Sequence, residues 1–140
     1  MWATLLLLMM MGPPTSNAQA TANYRTIDCI YPTPRGVQAE CGMLRVPEDY
    51  SKPDGPMIEL AVLKVLSPGR SPAPDPLVHL VGGPGGSSVP QASRIFYSQF
   101  APFARNRDII FVDQRGTGYS QPRLHCTEIR AQLTDLLAFD

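Results

Sequence analysis

Two short apolar runs, residues 77–81 (Leu-Val-His-Leu-Val) and residues 108–113 (Asp-Ile-Ile-Phe-Val-Asp), each stop abruptly at a glycine-rich loop. Runs this short suit a strand better than a helix. Their lack of apolar–polar alternation is the pattern of a strand covered on both faces, as in parallel α/β sheets. Between them, Ile95, Phe96, Phe100 and Phe103 recur at three-to-four spacing, which predicts a helix over 90–104 with an aromatic stripe against the sheet. A second helix is predicted over 127–139, after the second glycine loop. A strand, helix, strand, helix order implies parallel strands linked by right-handed crossovers.

Upstream, residues 42–46 form a short strand candidate. Residues 57–66 form a longer one, with Ile58, Leu60 and Val62 on one face. Pro47, Pro53, Asp54, Gly55 and Pro56 lie between them and supply turn chemistry for an antiparallel hairpin with a long loop. Residues 21–38 carry Pro32, Pro34 and Gly36 with little periodicity and read as an extended lead-in, so regular structure is expected to start near Cys41. The predicted class is α/β: an antiparallel hairpin leading into a mostly parallel sheet with flanking helices. No internal repeat is visible.

Charge excludes some partners. Twelve Lys and Arg balance twelve Asp and Glu, so no global field draws the chain to nucleic acid or to anionic lipid. Residues 1–11 are an apolar run closed by Gly12, Pro13 and Pro14, and Ala18-Gln19-Ala20 follows with the small-x-small pattern of a signal-peptidase site. Residues 1–20 therefore read as a secretory signal peptide cleaved after Ala20, although no Lys or Arg precedes the apolar run. The run is too short to span a bilayer, so no stable membrane anchor is expected. Export into an oxidising compartment permits disulfides, and Cys29 and Cys41, close in sequence, are expected to pair. Cys126 is then left for an intermolecular bridge, a free thiol or a partner beyond this chain, the last being favoured.

The segment Val81-Gly82-Gly83-Pro84-Gly85-Gly86-Ser87-Ser88 stands where a strand ends and a helix begins. Its glycines allow a tight turn and close backbone approach to a ligand, and main-chain N–H groups at such a junction suit developing negative charge. A phosphate loop is excluded because no Gly-Lys-Ser/Thr ending follows. Gly116-Thr117-Gly118-Tyr119-Ser120-Gln121 lacks the last glycine of a dinucleotide fingerprint, and His125 beside Cys126 has no second ligand pair at zinc-like spacing. No metal and no cofactor are expected. Ser120 precedes Gln121-Pro122 and is a poor nucleophile, and the chain contains no Gly-x-Ser-x-Gly elbow.

The glycine segment and residues 107–122 (Arg-Asp-Ile-Ile-Phe-Val-Asp-Gln-Arg-Gly-Thr-Gly-Tyr-Ser-Gln-Pro) together resemble the proline iminopeptidase and tripeptidyl aminopeptidase branch of the α/β-hydrolases. That branch pairs a His-Gly-Gly-Pro-Gly loop with an Asp-Gln-Arg-Gly-x-Gly-x-Ser loop. Val46-Pro47-Glu48-Asp49-Tyr50 matches a further family segment, and the likeness covers residues 41–126. Val81 stands where the family has its histidine, and His79, two residues earlier, reads as a core or supporting histidine rather than a catalytic one.

The resemblance implies that residues 21–140 are the N-terminal portion of an α/β-hydrolase domain. Gly83 would offer an oxyanion-hole N–H, Gly82, Pro84 and Gly85 would shape its loop, and Asp113 and Arg115 would brace the surroundings. A cis bond is expected between Gly83 and Pro84. The nucleophile, acid, base and cap residues would lie beyond Asp140, and the nucleophile strand would pair beside residues 77–81, so the piece alone is expected to be inactive and to expose an apolar edge. The expected parent is an exported serine aminopeptidase acting on peptide or small acyl substrates through an acyl-enzyme. The alternatives are an esterase or other small-molecule hydrolase, and a non-catalytic secreted or truncated product. The sequence assigns no oligomeric state.

Overall fold

A computed structural model describes residues 23–124. The expected signal peptide, His125, Cys126 and the helix predicted over 127–139 lie outside the described residues.

One five-stranded sheet organises the described residues, in the spatial order β1-β2-β3-β5-β4. Its strands are β1 (Asn23–Ile27), β2 (Ala39–Pro47), β3 (Met57–Val65), β4 (Leu77–His79) and β5 (Ile109–Val112). β2 and β3 are the antiparallel hairpin the sequence predicts, in register from Ala39 opposite Val65 to Pro47 opposite Met57. β3 pairs antiparallel with β5, and β5 pairs parallel with β4, which stands at the sheet edge. The mixed sheet with a helical segment is compatible with a partial α/β fold.

β1 corrects the reading of residues 21–38 as a lead-in without regular structure. It pairs antiparallel with β2, from Asn23 opposite Arg45 to Ile27 opposite Cys41. Four of its five residues are exposed, so no apolar pattern announces it. Its partners hold it instead. The Tyr24 ring lies against Gly42, where an added Cβ would come within 2.3 Å of the ring, and Arg25 pairs with Glu59 at 3.1 Å. The predicted Cys29–Cys41 disulfide is present, with Cα atoms 5.1 Å apart. Just beyond Cys29, buried Tyr31 donates its hydroxyl to the Val62 carbonyl at 2.7 Å and accepts the Gly42 N–H at 3.2 Å.

The helical run over Val89–Ala104 covers one face of the sheet, but it is irregular. It opens as a 3-10 turn (Val89–Gln91), continues as α1 (Ala92–Ile95), widens into a π-turn (Phe96–Phe100) and closes as α2 (Ala101–Ala104). The wide turn shifts the buried stripe by one position. Phe96, Phe100 and Ala104 are buried, whereas Phe103, expected in the stripe, is 51% exposed. Beneath them Met43, Ala61, Leu63, Val65, Ile109 and Phe111 form the core.

Residues on the opposite pleat, Leu44, Val62, Val78, Ile110 and Val112, line a groove of about 570 Å³ on the other face. The face of β3 expected to be apolar, Ile58, Leu60 and Val62, is the one on this groove side. The fully buried face is Ala61, Leu63 and Val65. Coverage of β4 on both faces is likewise not realised among the described residues, for Val78 is 50% and Leu80 59% exposed.

Candidate active site

β4 and β5 run parallel, so the loops that follow them, 80–88 and 113–120, leave the same end of the sheet. β5 is flanked on both sides by β3 and β4, and β4 is an edge strand of the sheet among the described residues. In open α/β sheets, ligands bind outside the carboxyl ends of the strands.

Asp113 ties the two loops together. Its carboxylate is completely buried and accepts the Val89 N–H at 2.8 Å and the Tyr119 N–H at 2.9 Å. Gly118 makes this possible, because a Cβ there would fall 1.9 Å from Asp113 Oδ2. Ser120 completes the brace. Its Oγ donates to the Asp113 carbonyl at 2.8 Å and accepts the Ala61 N–H at 3.0 Å, so it is buried and engaged rather than presented as a nucleophile. A cavity of about 290 Å³, lined by Ser87, Pro90, Gly118, Tyr119 and Arg123, opens where the two loops meet.

Within the glycine loop, the Gly83–Pro84 bond is cis. The turn is tight at Gly86, where an added Cβ would lie 2.2 Å from the Gly82 carbonyl oxygen. Gly83 is also confined, its absent Cβ facing the Gly86 nitrogen at 2.9 Å and the Gly85 nitrogen at 3.0 Å, while Gly82 has open space around it. Gln91 Nε2 donates to the Ser87 carbonyl at 2.8 Å and secures the end of the loop.

Arg115 lies elsewhere. It donates to the Glu48 carbonyl at 2.7 Å and sits 5.8 Å from the Tyr50 ring, holding the Val46–Tyr50 segment rather than the glycine loop.

The structure also brings together a pair that sequence reasoning passed over. His79 Nδ1 is 2.7 Å from the Ser88 Oγ, which is itself 3.1 Å from the His79 carbonyl oxygen. The rings of Phe100 and Phe111 meet the imidazole edge to face, with centroids 5.0 and 5.5 Å away, and burial pushes the His79 pKa below its ordinary value. The only signal in the sequence was a polar residue inside an apolar strand. Among the described residues, no group of acidic, histidine or cysteine side chains has the arrangement of a metal site. The larger groove on the other face is lined mainly by apolar side chains, and the polar groups converge at the loops instead.

No family model matches the sequence. The chain is, however, 38% identical over 86 residues to the tripeptidyl aminopeptidase of Streptomyces lividans, a match covering 59% of this chain and 16% of that protein. It is 34% identical over 91 residues to serine protease Hip1 of Mycobacterium tuberculosis, covering 63% of this chain and 16% of the relative. Carboxylesterase B of the same organism is 34% identical over 89 residues, covering 63% of this chain and 17% of the relative. These matches are consistent with an α/β-hydrolase-like family. It spans about a sixth of the length of these curated relatives. They are named as a peptidase, a protease and an esterase, so the likeness reaches hydrolase chemistry without separating amide from ester substrates. The disulfide is compatible with an oxidising compartment, and no helix among the described residues is long and apolar enough to cross a membrane.

Proposed function

We propose that this chain is the N-terminal, oxyanion-side portion of an exported serine hydrolase, an aminopeptidase that removes residues from the peptide amino terminus through an acyl-enzyme. The observation that carries the reading is the loop 82–87, set at the carboxyl end of β4 and locked through Asp113 to the loop after β5. In this reading, the Gly83 N–H faces the tetrahedral oxyanion. The confined turn at Gly83 and Gly86 then restricts the directions in which the loop's N–H groups point. Asp113 holds the loop's C-terminal end, and Arg115 acts at a distance by fixing the 46–50 segment. The nucleophile, its base and acid, and the cap that selects the substrate belong to sequence after Asp140. Peptide cleavage is favoured over ester cleavage because the motif pair matches the aminopeptidase branch.

The test compares this chain with the longer polypeptide that continues past Asp140. Each is incubated with a fluorophosphonate, an amino-terminally free tripeptide anilide and a p-nitrophenyl ester. The expected result is labelling and anilide hydrolysis by the longer polypeptide only. Ester hydrolysis without anilide hydrolysis favours an esterase. Absence of labelling in both overturns the serine-hydrolase reading.

A Cβ at Gly83 would press on the neighbouring backbone, so Gly83→Val perturbs the loop as well as its N–H. Gly82→Ala, in open space, is the control for the loop's tolerance of side chains.

A further inference from the structure

We propose that His79 and Ser88 form a clasp that closes the base of the glycine loop, with His79 a positioning residue for the loop's backbone N–H groups. The catalytic consequence of this rests on the oxyanion reading of the loop, whereas the clasp itself does not.

His79 is the last residue of β4, and Ser88 immediately precedes the helical run. The eight residues between them include four glycines, which by themselves leave the backbone a wide choice of conformations. A loop of this composition holds N–H groups in one direction only if its ends are fixed. Asp113 fixes one end, at Val89, but does not join that end to the strand from which the loop starts. The His79–Ser88 contact does join them.

The hydrogen bonds also assign the proton. A serine hydroxyl carries a single hydrogen. Donated to the His79 carbonyl, it leaves Oγ free to accept from Nδ1–H, and both contacts, at 3.1 and 2.7 Å, are satisfied together. Donated to Nδ1 instead, it would leave the carbonyl contact without a hydrogen. The clasp therefore requires a hydrogen on Nδ1, and in the neutral ring this is the Nδ1–H tautomer, with Nε2 unprotonated. Phe100 and Phe111 fix the plane of the ring, and Ser88 is completely buried, so water has little access to compete for its hydroxyl. Ser88 is thus a structural donor and not a nucleophile.

The experiment uses the chain itself, labelled with nitrogen-15. Imidazole nitrogen shifts should show the Nδ1–H tautomer, and backbone order parameters at Gly82, Gly83, Gly85 and Gly86 should be near the rigid value of about 0.85. His79→Phe fills the aromatic slot without a donor, and Ser88→Ala removes the acceptor with a smaller change, so one remains informative if the other fails to fold. In either variant the glycine order parameters should fall below about 0.6. His79→Asn, which places an N–H close to the position of Nδ1, should restore them. Unchanged glycine order in Ser88→Ala, equal rescue by Phe and Asn, or the Nε2–H tautomer in the parent chain overturns the clasp.

In the longer hydrolase polypeptide, His79→Phe should lower kcat at least tenfold with KM little changed. If loop order falls while kcat is retained, the clasp stands and the oxyanion reading of the loop fails.

Discussion

The two faces of the sheet are built from the same strands yet are finished differently. On one, Leu63, Val65, Ile109 and Phe111 have no exposure and lie under Phe96 and Phe100. On the other, Leu44, Val62, Val78, Ile110 and Val112 line an open groove, and Lys64 and Asp108 meet at its rim at 3.2 Å. Apolar residues alternate onto both faces, so the strands carry the same instruction in both directions. The difference lies in what the chain supplies nearby. The helical run that connects β4 to β5 crosses one face only. The loops that form the candidate site emerge from the carboxyl ends of β4 and β5.

The comparison can be broken first at β5. Phe111→Ala should cost about 3 to 5 kcal/mol, the cost of truncating a buried aromatic side chain, while its neighbour Ile110→Ala on the groove side should cost about 1 to 2 kcal/mol. Urea unfolding followed by circular dichroism checks both, and equal losses would mean that the groove face is covered in solution.

At the far side of the sheet, reducing Cys29–Cys41 should remove about 3 kcal/mol by releasing the unfolded chain from a short cross-linked loop. The melting temperature should drop with reductant in the parent chain and stay constant in a Cys29→Ser, Cys41→Ser double variant.

Asp113→Asn tests the brace at the loop end. An amide group turns one acceptor toward an N–H and one donor against the other, which leaves a buried polar group unmatched at a cost of about 1.5 to 3 kcal/mol. Amide exchange at Val89 or Tyr119 should quicken before the sheet itself opens. Retained protection at both would mean that the carboxylate is not what holds the loops.

The smallest expected effect is a difference in pH response between the faces. His79, on the covered face, has its pKa pushed below the ordinary value near 6.5 by burial. On acidification the unfolded chain takes up a proton that the folded one resists, so stability should fall as pH drops through 6.5 toward the folded value. Tyr24, on the groove side, is pushed up to about 12 by burial and by its hydrogen bond to Glu40. The unfolded tyrosine ionises near 10, so stability should fall again as pH rises from 10 toward 12. Melting temperature against pH should show both limbs. His79→Asn should flatten the acid limb alone, and Tyr24→Phe the alkaline one. A change of the wrong limb in either variant would contradict the assignment.

Local pattern was enough for several features. Turn residues between two apolar runs defined the β2–β3 hairpin, unbroken apolar runs marked β4 and β5, and two cysteines twelve residues apart paired as expected. The strand-to-helix setting of the glycine loop was also legible, because glycine and proline act through backbone geometry that does not depend on distant contacts.

Other features were decided only by packing. β1 carries no apolar pattern and exists because β2 offers it a ladder and Gly42 leaves room for the Tyr24 ring. The π-turn moved burial from Phe103 to Ala104, a one-residue slip invisible to three-to-four spacing. The bonds of Asp113 to Val89 and Tyr119, the engagement of Ser120 with Ala61, and the meeting of His79 with Ser88 join residues on different loops and strands. Periodicity reports which side of an element is apolar. It carries no information on which polar groups will face one another once those sides are buried, and that pairing is set only when the elements come together and each buried donor must find an acceptor.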